Sequence, residues 1–298
     1  MTDAEAFETF KGIRWANNGG EPVCGRCGSV QVYTFQARRI FKCKHCQSQF
    51  SVTSGTIFAS RKLAVRDYLA AIAIFVNGAK GVSALQLSRD LDVQYKTAFV
   101  LAHKLREAMA AEVDGESLSG EVEIDGAYFG GSIRKENRKE DRKDRRKREN
   151  QTGKRRSVVV MREREGRALP FVFRGEDEAV PTIRARVNDG AHIYADEASG
   201  WDELHAHYDT SRINHQFAFS DDGACTNQAE SYFARLRRAE FGTHHHISGR
   251  YLDAYASEMA WRENHRREPN GAQYRMVIGA AMAHGVSRQW AGYWQRAH

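Results

Sequence analysis

The chain has 298 residues, 41% of them apolar, only 4 prolines and a net charge of +7. That length allows two or three domains with sizeable cores, and the composition excludes a disordered or collagen-like chain. The longest apolar run, Leu69–Val76, is too short to span a bilayer, and the opening residues lack a basic, apolar leader, so a cytoplasmic protein without membrane contact is expected.

The charge is unevenly placed. Residues 134–156 hold 13 Lys/Arg against 5 Asp/Glu, an excess larger than that of the whole chain. A local excess of this kind points to a polyanion; its plain alternative is a solvated loop.

In chain order, the first motif is Cys24-Gly-Arg-Cys27 followed, fifteen residues on, by Cys43-Lys-His-Cys46. Two C-x2-C knuckles deliver the four thiolates that tetrahedral zinc takes, so a structural Zn2+ site is expected over residues 20–50, with a redox dithiol as the alternative. Val30–Phe35 and Arg39–Lys42 read as short ribbon strands. The ligands leave open whether such a ribbon contacts nucleic acid or only packs against protein. Cys225 stands outside the pairs and reads as a small buried side chain.

Residues 66–77 read as a helix, with Asp67 near its start and Gly78 beyond its end. Ser83 with Gln86 has capping-box spacing, and Ala84, Leu87 and Leu91 form one stripe. After Asp92-Val93 a further helix buries Ala98, Leu101, Ala102, Leu105 and Met109. Its other side carries Gln94, Tyr95, Lys96, Phe99, His103 and Lys104. Two helices joined by a short turn, the second opening on polar and basic residues, make residues 63–112 a helix-turn-helix-like DNA-binding candidate.

Past a polar linker, residues 120–131 alternate Val122 and Ile124 with Glu121, Glu123 and Asp125, the period of a strand with one apolar face. Gly126 is expected to turn the backbone, leaving Asp125 at the strand end. The acidic face is either a metal site or solvated. Ser157–Met161, Leu169–Phe173, Ala191–Ala195 and His215–Ser220 read as strands. Val180–Val187, Trp201–His207, Thr226–Phe241 and Tyr251–His265 read as helices, and residues 269–298 as a helical tail. The whole is a multidomain α/β chain with a mixed sheet.

Asp196 repeats the arrangement of Asp125, an acid closing an apolar strand. Asn227, Glu230 and Arg237 share one face of the helix over 226–241. Two strand-end aspartates and a helix-borne carboxylate are the donor set of a two-metal phosphoryl-transfer site, with Arg237 placed to hold phosphate. Glu123 and Glu197 flank these positions and read as supporting or exposed. Among His244, His245 and His246, one contacts phosphate or all three form a polar loop. Glu258 and Arg262 read as a surface ion pair, and Trp261, Trp290 and Trp294 as core.

The motifs Ile124-Asp-Gly-Ala-Tyr-Phe-Gly-Gly131, Tyr194-Ala-Asp196, Asn227-Gln-Ala-Glu-Ser-Tyr-Phe233 and Trp261-Arg-Glu-Asn264 resemble the zinc-ribbon DDE transposases of bacterial insertion sequences, the insertion sequence 1595 family. Phe50–Phe58 and Gly81–Arg106 are also similar. The resemblance implies a ribonuclease-H-like catalytic domain over 118–268, carrying the basic insertion 133–156. It implies two Mg2+ ions (Mn2+ as substitute) at Asp125, Asp196 and a third position. It implies double-stranded DNA partners, namely terminal inverted repeats and target, a homo-oligomer on DNA, and a nucleoid location. Relatives often carry an acid where Gly126 stands and a Lys where Arg237 stands. Either Glu230 or Asn227 fits the third position; Glu230 is preferred because a carboxylate neutralises metal charge. The rival readings are an inactive, transposase-derived DNA-binding regulator and a structure-selective nuclease.

Overall fold

The computed structural model describes residues 1–130, 137–144, 150, 153–213 and 225–296. The chain forms two compact units, Met1–Glu112 with Arg267–His298, and Val113–Arg266.

The first unit opens with a helix that sequence reasoning did not find, Asp3–Arg14 (α1). Thr2 and Glu5 close a reciprocal capping box at its start, and its buried side carries Ala6 and Phe10. Strands Val32–Phe35 (β1), Ile40–Cys43 (β2) and Gln49–Ser51 (β3) form an antiparallel sheet in the order β1-β2-β3. Trp15 stands edge-on to Phe41 at 5.5 Å and to Phe50 at 6.3 Å, so α1 supplies the ribbon with the apolar partner its own strands lack. Arg14 reinforces this by donating to the carbonyls of Ser51, Val52 and Ser54.

Helices Val65–Asn77 (α2), Ala84–Asp90 (α3) and Tyr95–Ala110 (α4) follow. Ser83 caps α3, its hydroxyl accepting the Gln86 N–H at 3.1 Å. The turn into α4 places Asp92 at φ 51, a left-handed position that a short polar side chain tolerates. Ala98, Leu101, Ala102, Leu105 and Met109 are buried as the periodicity requires. The last helix, Asn270–Ala283 (α8), packs on α1, α2 and α4. The segment after it lies on the side of α4 that the sequence left to solvent. His103 is fully buried and stacks on Trp290 at 4.2 Å, and Phe99 touches Trp290, Tyr293 and Trp294 at 5.8–6.2 Å. Only the opening of that face, Gln94 to Lys96, stays exposed. Trp290 is core as expected, but Trp294 is 43% exposed.

The second unit is a five-stranded mixed sheet built from Glu121–Phe129 (β4), Arg156–Glu163 (β5), Ala168–Phe173 (β6), His192–Asp196 (β7) and Asp209–Ile213 (β8). Its order is β6-β5-β4-β7-β8; β4 runs antiparallel to β5 and parallel to β7, and β7 parallel to β8. This is the ribonuclease-H-like arrangement: three strands in meander, then two parallel additions reached by crossovers. The strand expected at 215–220 and residues 133–136, 145–149 and 151–152 of the basic insertion lie outside the described residues.

Alternation sends Val122, Ile124, Ile193 and Ala195 to one face, against helix Val180–Arg186 (α5) and Trp201. Ala127 and Phe129 point to the other, under helices Asn227–Ala239 (α6) and Leu252–Asn264 (α7). The helix expected at Trp201–His207 is a 3-10 helix over Ser199–Ala206. Its three-residue turn puts Trp201 and Leu204 one above the other, and both are fully buried. Helix α6 continues into a π turn, Glu240–His244.

The Trp261-Arg262-Glu263-Asn264 motif proves to be structural. Glu263 is buried and binds Arg235 of α6 at 2.7 Å, with Arg162 of β5 at 3.9 Å and Arg266 beside it. Asn264 accepts from Ala168 N–H at 2.9 Å and Arg162 at 3.3 Å. Glu258 and Arg262 are paired at 2.9 Å, but both are buried, not on the surface as expected.

Candidate active site

Strand β4 does not end at Asp125. It pairs with β5 through Gly126 as far as Phe129, whereas its pairing with β7 stops at Ile124↔Ala195. The next residue on each of these parallel neighbours is an aspartate, Asp125 and Asp196. Adjacent strands lie roughly 4.8 Å apart, so the two acids open side by side where the parallel ladder stops.

Gly126 is therefore not a turn. A Cβ there would stand 2.7 Å from the side chain of Glu176, in the loop after β6. The absent side chain lets Glu176 come in beside Asp125. Glu176 is a member of the site that sequence reasoning missed; its only signal was the acidic run Glu176-Asp-Glu178 after a strand.

Asp196 is fixed in direction. Its Oδ1 accepts the indole N–H of buried Trp201 at 2.7 Å and the Ala198 N–H at 3.2 Å. Arg212 braces the same loop, donating to the Asp196 carbonyl at 2.5 Å and the Ala198 carbonyl at 2.6 Å. Trp201 was also missed as a site residue; it stands five positions after Asp196.

Glu123 shares the strand face of Asp125 and is fully buried. Its Oε2 accepts the N–H groups of Gln228 and Ala229 at 2.8 and 3.1 Å, two orphan donors of the first turn of α6. Its Oε1 takes Arg164 Nε at 3.1 Å, and Arg164 also binds Glu121 at 3.1 Å and lies 3.8 Å over the Tyr194 ring. The acidic face of β4 is thus covered, and its inner acid is neutralised by Arg164 and a helix N-terminus. Cys225 is half-buried beside Arg164, 3.2 Å from Nη2.

That cap positions Asn227 and Glu230. Both are exposed on the first turn of α6. Burial pushes the Asp125 carboxyl up to about 7; the Gly126 N–H at 2.7 Å favours its anion, while the charges of Asp196, Glu230 and Glu176 raise it further. Glu176 is raised by burial and by Asp196. No three carboxylate oxygens of this set lie within 4.8 Å of one another among the described residues. The donor chemistry nevertheless fits hard divalent cations: oxygens only, one of them from a half-buried acid whose neighbours are like charges. A pair of ions does not require every oxygen on one of them.

Cations flank the acids. Arg237 is exposed, its guanidinium 5.3 Å from the Phe129 ring. A cleft of about 690 Å³ is lined by Tyr128, Gly153, Arg155, Arg156 and Arg174, with Arg155 4.2 Å over the Tyr128 ring. Of the three histidines, His244 packs edge-on to Tyr255 at 4.6 Å, while His245 and His246 are exposed.

In the first unit, the sulfurs of Cys24, Cys27, Cys43 and Cys46 all lie within 4.8 Å of one another. Cys24 and Cys46 are 3.6 Å apart and Cys27 and Cys43 3.5 Å. Four sulfurs on one tetrahedral zinc stand roughly 3.8 Å apart, so the cluster fits that ion. Backbone N–H groups aimed at sulfur, Cys46 N–H on Cys43 among them, lower the thiols of Cys24 and Cys43, the latter to about 6.

Comparison with known proteins agrees with both halves. Residues 117–264 match the ISXO2-like transposase domain, and residues 1–49 the transposase zinc-ribbon domain. An uncharacterized protein in transposable element ISH50 of Halobacterium salinarum is 23% identical over 300 residues, covering 95% of this chain and 98% of that one. The crystal structures of the Mos1 strand transfer complex and of a pre-cleavage Mos1 transpososome align over 72% of this chain and 78% of theirs. Their identities are 11% and 12%, with TM-scores of 0.27 and 0.24. The fold assignment rests on strand order and the domain match instead. With its thiolate cluster, its paired strand acids and both domain matches in the same order, the chain belongs to the insertion sequence 1595 family of DDE transposases.

Proposed function

We propose that the chain cuts DNA at the ends of its own insertion sequence and joins the freed 3′-hydroxyl to target DNA. The observation that carries this is the side-by-side placement of Asp125 and Asp196 where the parallel β4–β7 ladder stops, with α6 locked over them by Glu123. Bound divalent ions, two Mg2+ or Mn2+, supply Lewis-acid charge stabilisation to an in-line phosphoryl transfer. Asp125, Asp196 and Glu230 hold them. Asn227 is the weaker third candidate, because an amide does not neutralise metal charge as the Glu230 carboxylate does. Trp201 orients Asp196, and Glu123 sets α6 in register. Arg237 and the Tyr128–Arg155 cleft grip the DNA backbone. No protein nucleophile takes part: the residues position the phosphate and balance its charge.

Zn2+ on the four cysteines orders the ribbon, which with α3 and α4 reads double-stranded terminal repeats. Joining two ends calls for a homo-oligomer on DNA. Among the described residues no helix is long and apolar enough to cross a membrane.

The test uses the full chain with labelled end DNA and Mg2+. Asp125→Asn and Asp196→Asn should keep end binding within about threefold and lower cleavage and joining by about a thousandfold or more. Cleavage at the wild-type rate by either variant removes that aspartate from the mechanism.

A further inference from the structure

The first unit holds a cleft of about 440 Å³ between the start of α4 and the segment after α8. Its wall carries Arg61, Lys62, Lys96 and Lys104, and among the described residues no Asp or Glu lines it. Its aromatic lining is Tyr68, Trp290, Tyr293 and Trp294. Four cations gathered in one concave surface, with Glu107 acting on Lys104 from outside the lining, complement a polyanion.

Trp294 is both exposed and held. The other tryptophans, Trp15, Trp201, Trp261 and Trp290, are at most 7% exposed; Trp294 is 43% exposed. Its indole N–H donates to the Lys96 carbonyl at 3.2 Å, and Tyr293 stands edge-on to it at 5.1 Å. Behind it, Trp290 stacks on His103 within the buried cluster. Gly292, at φ 65, makes the left-handed turn that delivers Tyr293–Gln295, and Arg296 ties the segment back to the carbonyls of Arg288 and Ala291. An aromatic surface fixed in this way gives up little conformational entropy on binding. The Lys96 ammonium lies over the same ring, 5.2 Å from its centroid, so a flat apolar surface and a cation able to bind phosphate are neighbours. Lys104, half-buried in the wall, has its ammonium pKa lowered by burial, a cost that an incoming anion offsets.

We propose that this cleft binds an unpaired nucleotide of a single DNA strand, its base stacked on Trp294 and its phosphates held by Lys96, Lys104 and Arg61. A base inside a duplex has both faces covered and cannot present one to an indole; an unpaired base can. The proposal is independent of the carboxylate site and needs no divalent ion.

The experiment titrates the full-length protein, in magnesium-free buffer, with a twelve-nucleotide oligothymidylate and with a blunt duplex of equal length, following tryptophan fluorescence and the anisotropy of a label on the DNA. The oligothymidylate should quench the exposed tryptophan, and Trp294→Phe should abolish most of that quenching. Trp294→Ala should weaken oligothymidylate binding by about tenfold, with partial recovery in Trp294→Phe, because stacking on an aromatic ring contributes on this scale per base. Lys96→Gln should also weaken it and reduce the salt slope by about 0.7. Duplex affinity should hold in both Trp294 variants, which also verifies their folding. Unchanged oligothymidylate affinity in Trp294→Ala, an equal loss on the duplex, or displacement of the oligonucleotide by a polyglutamate peptide at comparable concentration would each overturn the proposal.

Discussion

The Glu123 carboxylate accepts the backbone N–H of Gln228 at 2.8 Å, a bond between β4 and α6 that spans 105 positions of sequence. It sets how far Glu230 lies from Asp125, since both ride on the elements it joins. Glu123→Ala removes the acceptor from two helix donors and the partner from Arg164. The expected loss is about 3–5 kcal/mol, typical of breaking a buried charge pair. Glu123→Gln keeps one acceptor oxygen and should lose clearly less. Urea unfolding of the full chain measures both; an equal loss in the two variants would remove the helix cap from the explanation.

Gly126 and Glu176 should be energetically coupled. A Cβ at 126 meets the end of the Glu176 side chain at 2.7 Å, a group that can swing away, so Gly126→Ala should cost no more than about 1 kcal/mol. It should nevertheless lower Mg2+-dependent cleavage by displacing a carboxylate. In a Glu176→Ala background the stability cost of Gly126→Ala should vanish, and a double-mutant cycle reads the difference. Additive effects would place Glu176 elsewhere in solution.

Asp125 gives the metal-free protein a pH signature. Its carboxyl titrates near 7 in the folded chain against an ordinary 3.8. The stabilising contribution is fully present below the ordinary value, where both states hold the proton. Between the two values only the folded chain keeps it, so stability falls as pH rises and the contribution is lost through about 7. Asp125→Asn, which cannot ionise, should therefore raise the Tm of metal-free protein more at pH 8 than at pH 5. Mg2+ should raise the wild-type Tm at pH 8 and leave the variant nearly unchanged. A gain independent of pH would show that ionisation of Asp125 is not the strained element.

The thiolate cluster should hold one zinc per chain by elemental analysis. Cys43→Ser, or a strong chelator, should release it and loosen the ribbon, because strands of three or four residues have little core of their own. Trp15 sits against Phe41 and Phe50 and should report the loss as a red shift in its emission. An unshifted spectrum in zinc-free protein would assign ribbon order to α1 alone.

Motif spacing marked the two knuckles, Asp125, Asp196 and the α6 face before any coordinates, since metal ligands and capped amphipathic helices obey local rules. Strand alternation also separated Val122 and Ile124 from Glu123 and Asp125. It did not say which face would be covered: α6 comes from residues a hundred positions away and turns an acidic face into a buried one. The turn assigned to Gly126 failed for the same reason. Glycine signals permissive backbone or close approach alike, and only the position of Glu176 distinguishes them.

Taken alone, the sequence determined the thiolate set, the mixed α/β character, the candidate acids and the family resemblance, because each is written in residue type and near spacing. Tertiary structure decided that Glu176 and Trp201 join those acids, that the Trp261–Asn264 motif is an anchor, and that Trp294 is presented on α4 while Trp290 is buried. These outcomes depend on which distant segments share a surface. Burial and charge compensation across such contacts are properties of the packed chain and leave no periodic trace in its sequence.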